Sequence, residues 1–156
     1  KDWADHLTPI FPEVRLKQYL EMRGADSGPW RRLCALPALW TGVLYEESSL
    51  DAAWDLVKDW SAAERQALRD AVPRQGLKAM IRKRTVKDVA RDMLRLSRAG
   101  LERRDRQGRK GKTEASFLDV LDETVNSGKT AAENLLDLYH GPWNGSIERV
   151  FRDFAY

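Results

Sequence analysis

One short stretch of this chain alternates with the period of a β-strand, and almost everything after it carries the period of a helix. Arg15, Lys17, Tyr19, Glu21 and Arg23 fall on one side of an extended backbone, and Leu16, Gln18, Leu20 and Met22 fall on the other. Pro9 and Pro12 break any helix that would run into this stretch, and Gly24 with Asp26-Ser27-Gly28-Pro29 ends it in a loop. A lone strand is not stable, because its backbone donors and acceptors need partners. Those partners are expected either in residues 3–11 or outside the chain. The fold class that follows is mainly α with a short β segment. Residues 1–28 form a strand-and-loop segment, and residues 29–156 form a helical region.

The helical signals are numerous. Residues 30–45, WRRLCALPALWTGVLY, make a largely apolar helix that Pro37 should kink. Ser49 is placed to cap a helix with Leu50, Ala53, Trp54 and Val57 on one face. Ser61 and Glu64 have capping-box spacing, and Pro73 should end the helix they open. Thr85 opens another, striped by Val86, Val89, Ala90, Met93, Leu94 and Leu101. Phe117, Leu118, Leu121 and Val125 form a further stripe that stops near Gly128. Thr130 and Glu133 repeat the capping-box spacing, and Ile147, Val150, Phe151 and Phe154 close the chain. The tryptophans at helical positions, Trp30, Trp40, Trp54 and Trp60 among them, are expected in the core.

Charge is unevenly spread. The formal net charge is +3, yet residues 82–112 hold 13 of the 27 basic side chains against four acids, a net +9 that leaves −6 elsewhere. Two readings follow. The segment is a solvated helix face and loop, or a binding module for nucleic acid or an acidic partner. No aromatic residue lies between Arg82 and Lys112 to stack on a base, which weighs against nucleic acid. Gly108–Thr113 ends in Gly-Lys-Thr, but Arg106 stands where a phosphate-binding loop needs glycine.

Other chemistry is sparse. Cys34, the single cysteine, sits among apolar residues and reads as a buried structural thiol, and two histidines do not make a zinc site. With one cysteine, no leader and no apolar stretch of membrane-spanning length, the expectation is a cytoplasmic protein without membrane association. Lys1-Asp2-Trp3 lacks an initiator Met, so a C-terminal fragment is expected. The strand face remains. Glu21 and Arg23, two apart, project together; a carboxylate beside a guanidinium can hold a Mg²⁺–phosphate group, or can simply be solvated.

The stretch DHLTPIFPEVRLKQYLEMRGADSGPWRRLCALPALWTGVLYEE, from Asp5 to Glu47, closely resembles the plant and proteobacterial type of glutamate–cysteine ligase. SAAERQALRDAVPRQGLK, GLERR and TAAENLLDLYHGPWNGSIERVFRDFAY extend the resemblance through the chain. It implies the C-terminal third of an α+β, glutamine-synthetase-like fold, with residues 1–28 belonging to a catalytic antiparallel sheet. It also implies an ATP- and Mg²⁺-dependent enzyme that joins L-glutamate to L-cysteine through γ-glutamyl phosphate, the first step of glutathione synthesis. Tyr19-Leu20-Glu21-Met22-Arg23 matches the family's strand motif, so the resemblance makes Glu21 a metal ligand and Arg23 a catalytic, phosphate-contacting residue. Arg15 and Tyr19 rank behind them as substrate- or phosphate-binding residues, and His6 and Thr8 are implied to border the pocket. The missing N-terminal part becomes the expected partner, the chain alone is expected to be inactive, and 102–113 is expected to be a basic surface loop.

Overall fold

The computed structural model describes residues 2–3, 12–25, 28–108 and 111–154. Asp2 and Trp3 are helical, and the next regular element among the described residues is a hairpin. Strands β1 (Val14–Leu16) and β2 (Leu20–Met22) pair antiparallel, with Val14 opposite Met22, Arg15 opposite Glu21 and Leu16 opposite Leu20. The expectation of one strand through residues 15–23 is therefore corrected. The chain reverses at residues 17–19, where the Lys17 N–H donates to the Tyr19 carbonyl at 2.9 Å, and the Arg23 N–H donates to the Glu13 carbonyl at 2.8 Å. A local hairpin satisfies backbone groups at a small loop-closure cost, so the partner comes from the same short stretch.

Helices follow in quick succession: α1 (Trp30–Leu44), α2 (Glu47–Val57) and α3 (Ala62–Gln75). A 3₁₀ turn (Gly76–Lys78) and a small antiparallel pair, β3 (Met80–Ile81) and β4 (Arg84–Thr85), lead into the long helix α4 (Val86–Arg104). A second 3₁₀ turn (Glu114–Leu118) runs into α5 (Asp119–Ser127), followed by α6 (Ala131–His140) and α7 (Glu148–Asp153). The capping boxes of Ser61 with Glu64 and Thr130 with Glu133 both form, and Thr85 makes a third with Asp88. Gly128, at φ 70°, stops α5 in the left-handed conformation that suits glycine.

Three local expectations are corrected. Ser49 does not cap α2. Glu46 does, accepting from the N–H groups of Ser48 and Ser49, while the buried Ser49 hydroxyl donates to the Leu96 carbonyl at 3.0 Å. Pro73 does not end α3, which continues to Gln75 before Gly76 turns away at φ 53°. A proline in the last turn deprives only one carbonyl of its donor. Trp30 and Trp54 are 74% and 62% exposed, and Trp143 is the buried tryptophan instead. Helical periodicity says which residues share a face, not which face is covered.

The core lies where α1 crosses α4, with Ala38, Leu94, Leu101, Ala115, Leu118 and Val125 buried together. The crossing is close because both helices present glycine. A Cβ on Gly42 would overlap the Ser97 carbonyl and hydroxyl, and one on Gly100 would overlap the Gly42 carbonyl. The Ser97 hydroxyl donates to the Leu39 carbonyl at 2.9 Å and stitches the two backbones together. Arginines of the basic segment clip the helices from outside. Arg103 reaches Glu46 at 2.6 Å, Arg82 reaches Glu64 at 2.7 Å, and Arg98 bonds Asp119 at 3.0 Å and also Asp122.

Those clips make stability depend on pH. Hydrogen bonds from Arg103 and Arg82 hold the Glu46 and Glu64 carboxyls down at about 2, against an ordinary 4.5. A depressed folded-state pKa contributes stability that is complete above about 4.5 and disappears as pH falls through about 2. The thermal midpoint should therefore drop across that window. The Glu46→Gln/Glu64→Gln double variant should show a shallower drop; a decline parallel to the parent's would contradict these two clips.

Candidate functional site

The charged face of the hairpin gathers Arg15, Glu21 and Arg23, each half-buried. Arg15 Nε donates to Glu21 Oε2 at 2.8 Å, and Arg23 Nη1 lies 3.9 Å from the same oxygen. Sequence spacing ranks Arg15 behind Arg23, because six residues of extended strand span about 20 Å. The reversal at residues 17–19 instead places Arg15 directly across from Glu21. No glycine, proline, asparagine or aspartate marks Lys17-Gln18-Tyr19 as a turn, so no turn signal announced this contact.

The electrostatics follow from that geometry. Arg15's hydrogen bond is the main cause that holds the Glu21 carboxyl below its ordinary range, burial opposes it, and the charges of Arg15, Lys17 and Arg23 add to the lowering. Glu21 is therefore a carboxylate at neutral pH, with Arg15, Lys17 and Arg23 close enough to stabilise its charge. Such a face suits an anion with several oxygens, since guanidinium forks bind phosphate or carboxylate in bidentate fashion. For magnesium the donor set is one carboxylate. Mg²⁺ commonly takes one or two carboxylates together with substrate phosphates, so Glu21 fits as one ligand of several. Among the described residues no group of three or more His, Cys, Asp or Glu side chains could hold a metal alone.

The other sequence candidates fall elsewhere. Tyr19 lies in the reversal and is exposed, off the paired part of the strands. His6 and Thr8 lie outside the described residues. Cys34 is half-buried, a correction to the buried thiol, because α1 turns it toward a groove shared with Pro37 and Phe117. A tie from Arg69 of α3 to Glu13 at 3.0 Å anchors the hairpin to the helical body.

The basic segment 82–112 is not a uniform positive surface. Besides the clips to Glu46, Glu64, Asp119 and Asp122, Arg84 bonds Asp92 at 2.6 Å, and Arg91 sits 3.5 Å from Asp88. Acids that the sequence places outside the segment are thus brought onto it. This reduces the free charge that a nucleic-acid or acidic-partner module would need.

The family model for Glutamate-cysteine ligase family 2 matches residues 1–153. The chain is 56% identical over 155 residues to a protein of Arabidopsis thaliana named glutamate--cysteine ligase, chloroplastic, covering 99% of this chain and 28% of that protein. Similar matches join it to proteins of the same name from Nicotiana tabacum, at 54% identity and 28% of that protein, and Medicago truncatula, at 53% and 29%. In both, 99% of this chain is covered. The chain thus spans under a third of the length of these relatives. Their chloroplastic naming overturns the cytoplasmic expectation and points to a plastid. Cysteine usage indicated a reducing compartment without saying which, and a stretch of this share says nothing about a leader.

Proposed function

Because the chain belongs to Glutamate-cysteine ligase family 2, we propose that it is the C-terminal part of an ATP-dependent ligase. The reaction joins the γ-carboxylate of L-glutamate to the amine of L-cysteine, the first step of glutathione biosynthesis. The observation that carries this reading is the family match over residues 1–153, which includes the strand motif Tyr19-Leu20-Glu21-Met22-Arg23. In this reading residues 1–28 belong to the catalytic antiparallel sheet of a glutamine-synthetase-like α+β fold, and residues 29–156 form its C-terminal helical region.

The chemistry places two anions together. The γ-phosphoryl group of ATP passes to the glutamate carboxylate, and ADP leaves. The cysteine amine then attacks the γ-glutamyl phosphate, loses a proton and expels phosphate as the amide forms. Arg23 is proposed as the catalytic residue that binds the transferring phosphoryl oxygens and stabilises the charge they gather. Glu21 would hold one coordination position of Mg²⁺, and Arg15 keeps that carboxylate ionised and aimed through its 2.8 Å hydrogen bond. Magnesium, when bound with the nucleotide, neutralises phosphate charge and so lets a second anion approach. Arg15, across the hairpin from Glu21, and Tyr19, exposed at its reversal, are proposed as further substrate- or phosphate-binding residues.

The test is phosphate release by a family-length protein carrying this stretch. Release that requires glutamate, cysteine and ATP together supports the reading; release indifferent to either amino acid, or none, counts against it. The chain by itself is expected to release no phosphate, because Glu21 offers one metal ligand where phosphoryl transfer needs a complete charge clamp. Substrate-dependent release by the purified chain would overturn that expectation.

A further inference from the structure

Helix α1 carries its only charged residues, Arg31 and Arg32, in its first turn. From Leu33 to Tyr45 it carries no charged residue, although a helix at a protein surface ordinarily keeps one polar face. One side packs on α4 and buries Ala35, Ala38, Gly42 and Val43. The opposite side presents Trp30, Cys34 and Pro37 at helical spacing, and Phe117 from the 3₁₀ turn continues the same groove, which Arg31, Lys112 and Asp119 edge with charge. Trp30 is 74% exposed and Phe117 is 48% exposed. Neighbouring bulky apolar groups of this kind mark a surface that has a partner.

We propose that this outer face of α1 is an internal docking surface, covered in a family-length protein by an apolar segment from the polypeptide outside this stretch. The relatives supply the occupant. This chain covers 28–30% of their length, so most of a family-length chain lies elsewhere and needs a seat. The rim is compatible with such a seat, since Arg31 is paired with Glu123 at 2.8 Å and Asp119 with Arg98 at 3.0 Å. The inference rests on family membership and not on the ligase chemistry, so a failed activity assay leaves it standing.

Hydroxyl-radical footprinting of the native family-length protein, read residue by residue, tests it. Trp30 and Phe117 should oxidise at no more than about a tenth of their rates in the urea-unfolded chain. That protection should persist through about a hundredfold dilution, because the occupant belongs to the same molecule. Oxidation close to the unfolded rates would overturn the proposal. Protection that fades on dilution would assign the face to a second copy and overturn it as well.

Discussion

Glu21→Gln in a family-length protein is expected to lower turnover by roughly a hundredfold or more, the scale on which preorganised charge contributes to catalysis. The substitution keeps the side chain's volume and an oxygen that can accept from Arg15 at the 2.8 Å position, so the hairpin should remain folded. What it removes is the negative charge, which is what makes a carboxylate a far stronger Mg²⁺ ligand than a neutral amide oxygen. If Glu21 serves phosphoryl transfer, kcat and kcat/KM should fall together, because the lost interaction belongs to the transition state. Arg23→Lys should show a smaller loss in the same direction, since lysine keeps the charge but not the planar fork. Near-normal turnover with Glu21→Gln would remove Glu21 from the reacting centre.

Gly42→Ala and Gly100→Ala should each destabilise the fold by about 3 kcal/mol, at the upper end of what overpacking usually causes. Two effects oppose each other here. Alanine favours a helix interior over glycine by about 1 kcal/mol. Against that, a Cβ at either position meets backbone: the Ser97 carbonyl for Gly42, and the Gly42 carbonyl for Gly100. Backbone cannot rotate away as a side chain can, so α1 and α4 must separate. Separation stretches the Ser97–Leu39 hydrogen bond and opens the core around Leu94 and Leu101. Gly24 supplies the control, because nothing lies within 4 Å of its Cβ position. Urea unfolding should show large losses for the two helix variants and almost none for Gly24→Ala. A stabilised Gly100→Ala would mean that the helices do not touch there.

The helices were largely legible in sequence because their signals are local. Ser61 with Glu64 and Thr130 with Glu133 name their own helix starts, and both boxes form. The α1–α4 crossing was not legible, since Gly42 and Gly100 acquire meaning only when two distant helices meet. Nor was the burial of Ser49, whose partners Leu96 and Arg103 are far along the chain. The hairpin is an instructive mixture. Its alternation sorted Arg15 and Glu21 onto one face correctly, because opposed residues here differ by an even number and a reversal preserves parity. The turn itself leaves no mark in Lys17-Gln18-Tyr19, so the spacing alone implies one strand and sets Arg15 too far from Glu21. That Arg15, Glu21 and Arg23 share a face was thus legible, and how they meet was not. Charge patterning failed similarly: the +9 segment looks unbalanced along the sequence, while Glu46, Glu64, Asp119 and Asp122 balance much of it in space.

A graft tests the central claim most directly. The matching stretch of the Arabidopsis thaliana relative, 56% identical over 155 residues, can be replaced by residues 1–156 of this chain and assayed with glutamate, cysteine and ATP. If this chain supplies the same part of the same ligase, the graft should form γ-glutamylcysteine with phosphate release, and Glu21→Gln within the graft should abolish most of it. A folded graft that consumes no ATP and forms no dipeptide would contradict the account.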